Sequence, residues 1–203
     1  ILSADNEGSK NIKWTNSVVT KGISSLRSSY GLRFSGVNPR LIGRCIGVDY
    51  PYIQNFNITV DNCTVTDLNS NSDSIGFVFS QIQGGHTSNC NVSGMVSRGF
   101  GVSAGFYING SIPGGITSKL TFINNTSERN GYNSRGTAAG FYIYNTVNDI
   151  IFKNNIANGN GTAENLNNGF GILIINFSND VNTIIKNIEI DNAQIVERAN
   201  KIY

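Results

Sequence analysis

The sequence predicts an all-β solenoid, a stack of about seven parallel coils running over residues 12–203 of a 203-residue chain. Three observations carry that prediction. An asparagine-led segment recurs along the chain: Asn62-Cys63-Thr64-Val65 and Asn89-Cys90-Asn91-Val92 are its clearest copies. Further copies start at Asn16, Asn38, Asn124, Asn154 and Asn192, at spacings of 22, 24, 27, 35, 30 and 38 residues. A glycine-led aromatic strand follows at a nearly constant offset of 14 to 16 residues: Gly76-Phe77, Gly105-Phe106, Gly140-Phe141 and Gly169-Phe170. Asparagine and glycine are abundant throughout, and both enter the left-handed backbone region that tight turns use. Repetition with short strands and turns describes a solenoid, in which each coil buries its apolar residues against the next.

Taken in order, residues 1–11 are polar and read as a lead-in segment. Ile12-Lys13-Trp14 then alternates apolar and polar up to Asn16, and Tyr30-Gly31-Leu32-Arg33-Phe34 forms a glycine-led strand. The next coil is the shortest, through Asn38 and Gly47-Val48, with Pro51 between strands, where its missing N–H does no harm. From residue 55 the pattern is clearest. Ile58-Thr59-Val60 alternates into Asn62, the chain turns, and Cys63-Thr64-Val65 alternates out again. Strands of three to five residues are expected, with Phe77, Phe106, Phe141 and Phe170 stacked inside and the asparagines forming a ladder at one turn. Segments such as Ser111-Ile112-Pro113-Gly114-Gly115 absorb the differences in repeat length.

Composition excludes several classes of function. Charged residues are 14% of the chain and the net charge is +2, so nothing argues for nucleic acid or an anionic membrane, and no apolar run approaches a membrane span. The opening Ile1-Leu2-Ser3-Ala4-Asp5 suggests a domain of a longer protein. Three cysteines do not make a disulfide framework; Cys63 and Cys90 occupy equivalent places in neighbouring coils and are expected as stacked free thiols.

The repeats of the form Ile58-x-Val60-x-Asn62-x-x-Val65, over roughly residues 12–197, resemble the right-handed parallel β-helix, or pectin-lyase-like, superfamily. Phe122-Ile123-Asn124-Asn125 and Phe152-Lys153-Asn154-Asn155 also look like the repeats of bacterial adhesins, and phage tailspikes share the architecture. The resemblance implies a surface, secreted or virion-surface location and a polysaccharide lyase or glycoside hydrolase as one possible activity. The hydrolases resembling polygalacturonase carry Asn-Thr-Asp, Asp-Asp, Gly-His-Gly and Arg-Ile-Lys in order. Here the single histidine lies in Gly84-Gly85-His86-Thr87, a permutation of the third motif, and neither adjacent aspartates nor Arg-Ile-Lys is present. Asp61, Asp67 and Asp73 are the nearest approach to a calcium site, with too few oxygens to make one, so no metal and no cofactor is expected. If the chain is an enzyme, Asp73 with Glu128 or Asp149 would supply the acid and base.

Alternation turns Tyr107 and Tyr142 outward at equivalent places on adjacent coils, with Asn109, Asn145 and Arg135 near enough to donate or accept hydrogen bonds. Two stacked rings there would form a flat platform for a sugar, or equally a contact surface for a partner subunit. The expectation is therefore a non-catalytic structural or binding module contacting glycans, the remainder of its own chain, or further copies such as a trimer, with a polysaccharide-active enzyme as the alternative.

Overall fold

The computed structural model describes residues 13–21, 23–24, 29–35, 55–110, 116–132, 134–145, 147–161, 169–176 and 185–196. All regular structure among them is β, and every strand pairing is parallel. The first three coils pass in turn through four sheets, and the later ones lack the strand of sheet C. Sheet A stacks Lys13–Thr15, Asn55–Asp61, Ile82–Ser88, Thr117–Ile123, Val147–Lys153 and Ile185–Asp191. Sheet B stacks Val18–Thr20, Thr64–Thr66, Asn91–Ser93, Thr126–Glu128, Ile156–Asn158 and Gln194–Val196. Sheet C holds Ile23–Ser24, Asn69–Ser70 and Val96–Ser97. Sheet D stacks Ser29–Ser35, Ser74–Ser80, Ser103–Asn109, Ala138–Tyr144 and Gly169–Ile175.

Among the described residues the solenoid has six rungs. Lys13–Thr15 pairs directly with Thr59–Asp61, and Ser29–Ser35 directly with Ser74–Ser80, so no coil intervenes between Asn16 and Asn62. Asn38, expected as a further ladder asparagine, lies outside the described residues.

Parallel, in-register coils place like residues about 4.8 Å apart, and the core shows the consequence. Phe77, Phe106 and Phe141 stack with centroids 5.1 and 4.8 Å apart and nearly parallel rings, while Phe122 on Phe152 forms a second column at 5.1 Å. Rings of the two columns meet edge to face, Phe106 on Phe122 at 77° and Phe141 on Phe152 at 76°, the geometry that ring quadrupoles favour. Phe170 is not the fourth member of the stack. Register sets Ile172 on Phe141 and Phe170 on Ala139, so the aligned glycine is Gly171 and Phe170 packs on the outer side of sheet D.

Apart from Lys13–Thr15, the strands of sheets A and D are seven residues long, and each contains a bend at its third residue. In sheet A the third residue is left-handed in five coils: Asn57, Gly84, Lys119, Asp149 and Asn187, at φ 53°, 81°, 56°, 55° and 53°. In sheet D the third residue is glycine because there is no space for a side chain. A Cβ at Gly76 would lie 2.4 Å from Val92 Cγ1 and 2.7 Å from the Gly105 carbonyl oxygen. Around that glycine the alternation is broken: Phe77 and Phe79 join the main core, whereas Ile75 and Val78 join a second apolar cluster outside it.

The asparagine turn is as expected in conformation and less regular in bonding. Asn16, Asn62, Asn89, Asn124, Asn154 and Asn192 all lie between φ 48° and 54°. Asn62 donates to Asn16, Asn124 to Asn89 and Asn192 to Asn154 at 2.8, 3.4 and 2.8 Å, but Asn89 donates instead to Asp61 Oδ1 at 2.9 Å. A second ladder runs inside the coil, one residue later. There Cys63, Cys90, Asn125 and Asn155 form a buried column in which each backbone N–H donates to the side chain one coil on: Cys63 to Cys90 Sγ at 3.4 Å, Cys90 to Asn125 Oδ1 at 3.0 Å, Asn125 to Asn155 Oδ1 at 2.9 Å. The column Leu68, Met95, Asn130, Asn160 makes the same change from apolar to amide between the third and fourth coils, with Met95 N–H donating to Asn130 Oδ1 at 3.2 Å. Cys63 and Cys90 are free thiols; Cys45 lies outside the described residues.

Candidate functional site

In each of six coils the turn between sheets A and B takes two residues, from Asn16-Ser17 to Asn192-Ala193, and the B-to-C corner is similarly tight at Asp67-Leu68 and Gly94-Met95. Length variation concentrates on the two borders of sheet D. On the far border the strands are separated from sheet A by 19 residues after Ser35, one after Ser80, seven after Asn109, two after Tyr144 and nine after Ile175. On the near border, where sheet C or B gives way to D, the connections are likewise unequal. Insertions on one side of a solenoid point to the side that does the work, because they leave the stacked core undisturbed.

The outer face of sheet D is apolar. Ile75, Val78, Ala104, Ala139, Tyr142 and Leu173 form its buried centre, with Val102, Tyr107, Tyr144, Phe170 and Ile175 packed against them. Register places Val78, Tyr107, Tyr142 and Leu173 in one column, and Ser80, Asn109, Tyr144 and Ile175 in the next outward one. The tyrosines do face away from the main core, but they do not make a flat exposed platform. Tyr142 is 5% exposed and meets Tyr107 edge to face, centroids 5.3 Å apart at 77°. The reason is Tyr144: it lies 6.3 Å from Tyr107 at 26° and 5.9 Å from Tyr142 at 73°, and closes the group into a three-ring cluster.

The polar residues of the expected site divide between the two borders. Asn109 is 5% exposed at the end of its strand; its carbonyl accepts from Gln81 N–H at 3.3 Å and from the Thr117 hydroxyl. Asn145 follows at the same border in the left-handed region, φ 61°. Arg135 is exposed on the opposite border, in the connection that precedes Ala138–Tyr144. Asp73 is a candidate acid only if the chain is an enzyme. It sits at this same border, its Oδ1 accepting from Val102 N–H at 2.9 Å, and its charge reaches Tyr142. Glu128 ends a strand of sheet B, and Asp149 occupies the bend of sheet A, where it accepts from Asn148 and Asn187 at 3.0 and 2.7 Å. The three acids therefore occupy three different parts of the coil. His86 is exposed on sheet A between Thr59 and Thr121, and hydrogen bonds from Ser88 and Asn89 hold the nearby Asp61 carboxyl below the usual range. Among the described residues no three His, Cys, Asp or Glu side chains gather to hold a metal ion, and no helix is long and apolar enough to cross a membrane.

Two residues of this region escaped sequence reasoning. Tyr144 repeats the parity of Tyr142 in Phe141-Tyr142-Ile143-Tyr144 and could have been found by it. Phe100 stands between two glycines in a loop and is 86% exposed, beside the tight stack of that loop on its neighbours. No family model matches the chain, and comparison with curated proteins and with solved structures finds no match.

Burial gives the site a measurable alkaline response. The Tyr142 hydroxyl is pushed up from 10.0 to about 12, by burial first and then by Tyr144 and Asp73; burial likewise pushes the Cys90 thiol from 9.0 to about 12. A group whose pKa is raised on folding stabilises the fold fully below its unfolded value and loses that contribution as pH climbs toward the folded one. The urea midpoint should fall as pH rises from about 9 to 12, and Tyr142→Phe should flatten the part of the fall above pH 10. A variant profile that parallels the wild type would show that Tyr142 ionises freely in the folded chain.

Proposed function

We propose that the chain is a non-catalytic β-solenoid module of a cell-surface, secreted or virion-surface protein. It acts as a rigid rod whose sheet D side contacts a glycan or a partner subunit. The observation that carries this reading is the concentration of variable connections and tyrosines on one side of a coil whose other corners are uniformly tight. The resemblance of the repeats to pectin-lyase-like right-handed β-helices makes polysaccharides the first ligand class to try. Within the cluster Tyr107 and Tyr144 are partly exposed and Tyr142 is buried, so the first two are the contact residues and the third supports them.

The test is a glycan array run beside incubation with neutral and acidic polysaccharides. Binding that falls at least about tenfold in Tyr107→Ala/Tyr144→Ala, a scale set by roughly 0.5–1.5 kcal/mol for each of the two aromatic contacts, supports the module. New chain ends appearing in the polysaccharide would overturn it in favour of an enzyme, and Asp73, Glu128 and Asp149 would be the residues to replace. Retained binding in the double variant would move the contact off sheet D.

A further inference from the structure

The two ends of the solenoid match one another. The edge strands of sheets A, B and D are Lys13–Thr15, Val18–Thr20 and Ser29–Ser35 at one end, and Ile185–Asp191, Gln194–Val196 and Gly169–Ile175 at the other. End coils of solenoids normally turn polar residues outward. At the second end the apolar interior is instead open. Ile174 and Ile190 hold the register of Ile143 and Phe152, which have no exposed surface, yet they are 42% and 45% exposed. Ile172 and Ile188, packed on the main core, are only partly buried. Elsewhere in the stack such residues are covered by their equivalents one coil on, so the surface that fits this end is another coil of the same kind.

Continuing the register across the two ends shows how well the first coil of a second copy fits. Lys13, Thr59, His86, Thr121, Ile151 and Glu189 form one row of sheet A. Trp14 begins the next row, which ends at Ile190, and Thr15 begins the one that ends at Asp191. A copy set on the open end therefore brings its Lys13 over Glu189, its partly buried Trp14 over Ile190 and its Thr15 over Asp191. Lys13 and Glu189 are both exposed and opposite in charge, a pairing that stabilises neighbouring strands. In the turn, Asn62 donates to Asn16 and Asn192 to Asn154, each amide to the coil before it. Asn192 Oδ1 then accepts from Asn16 of the arriving copy, and both residues already share the left-handed conformation, at φ 48° and 52°. In sheet D both edge strands are seven residues long with glycine third, Gly31 and Gly171, so the contact of Gly140 on the Gly171 carbonyl is repeated.

A strand from an unrelated protein could pair with one of these sheets. A second copy pairs with three at once and covers the interior between them. We propose that the chain stacks end to end with further copies of itself, strands Lys13–Thr15, Val18–Thr20 and Ser29–Ser35 of one copy lying on Ile185–Asp191, Gln194–Val196 and Gly169–Ile175 of the next. The contact is head to tail and does not close, so every added copy presents the same open end. Each lengthens the rod by six coils, about 29 Å. The joint lies at the ends of the solenoid and is independent of any contact made by the outer face of sheet D.

The test is sedimentation velocity over a concentration series of the chain. The mean mass is expected to rise steadily with concentration. Glu189→Lys sets two cations face to face and should weaken association about fivefold, as Lys13→Glu should with two carboxylates. The double variant Lys13→Glu/Glu189→Lys exchanges the pair and should restore the wild-type series. Ile190→Asp places a carboxylate inside the joint and should weaken association roughly tenfold or more. Lys119→Gln, exposed on a central coil, should leave it unchanged. Lys13 and Glu189 are exposed, so the charge variants are expected to keep the wild-type circular dichroism and urea midpoint. A monomer at every concentration, a series that levels off at a dimer, or a double variant no better than the single ones overturns the proposal. If association is lost in Tyr107→Ala/Tyr144→Ala and kept in Ile190→Asp, the copies meet on the outer face of sheet D and the head-to-tail joint falls.

Discussion

Replacing Gly85 with alanine is expected to cost roughly 4 kcal/mol or more, a large share of the about 5–15 kcal/mol that holds an ordinary domain folded. Gly85 lies in sheet A at φ +143°, and a Cβ there would meet the Ile58 carbonyl oxygen at 2.2 Å, its nitrogen at 2.7 Å and its carbonyl carbon at 3.0 Å. All three are backbone atoms of the neighbouring coil, which pairs with Gly85 in register, so relief requires the coils to separate. Gly159 provides the comparison. It is left-handed at φ +59°, but the nearest atom to its added Cβ is Arg129 Cγ at 3.9 Å. Gly159→Ala should therefore show only the conformational cost, about 1 kcal/mol. Urea unfolding of the two variants measures the difference; equal losses would mean that close approach of the coils adds nothing at Gly85.

The same residue shows why function was harder to read than fold. Gly84-Gly85-His86 looks like a rearranged catalytic motif, yet both glycines answer to backbone needs: one is left-handed at φ +81° and the other touches the coil beside it. Stacking in register makes each structural demand recur once per coil, and recurrence is what a sequence displays best. The asparagine turn and the glycine of sheet D were legible for that reason. One error came from the same logic applied without register. Gly169-Phe170-Gly171-Ile172 offers two glycines two residues apart, and only the pairing of Ala139 with Phe170 shows that Gly171 is the right one.

The site was legible in direction and not in exposure. Alternation is a local property, so it turned Tyr107 and Tyr142 outward. Exposure is set by packing across coils: Tyr107 from the neighbouring coil and Tyr144 from the adjoining column meet Tyr142, and Val102 packs against the same cluster. Phe100 was missed because a lone aromatic between glycines has no period to betray it.

The inner ladder was missed for a different reason, and it leads to the second large effect. Asn124-Asn125 and Asn154-Asn155 each supply one asparagine to the solvent turn and one to the core, yet polar residue type suggests solvent for both. Asn125 has no exposed surface; its side chain accepts from Cys90 N–H at 3.0 Å and donates to the Thr87 carbonyl at 2.9 Å and to Asn155 Oδ1 at 3.0 Å. Asn125→Ala would strand the Cys90 N–H and the Thr87 carbonyl inside the core. With a loss of 1–3 kcal/mol for each unsatisfied group, about 3 kcal/mol in total is expected. Asn125→Cys should cost less, since Cys90 fills the same place one coil earlier and its sulfur already accepts from Cys63 N–H at 3.4 Å. Asn124 lies one residue away, exposed and left-handed at φ 54°, so Asn124→Gly should be nearly neutral because glycine takes that conformation freely. Urea midpoints that rank Asn125→Ala below Asn125→Cys, and both below Asn124→Gly, would place the stabilising ladder inside the coil. If Asn124→Gly were the more damaging, the visible ladder at the turn would be the one that holds the coils in register.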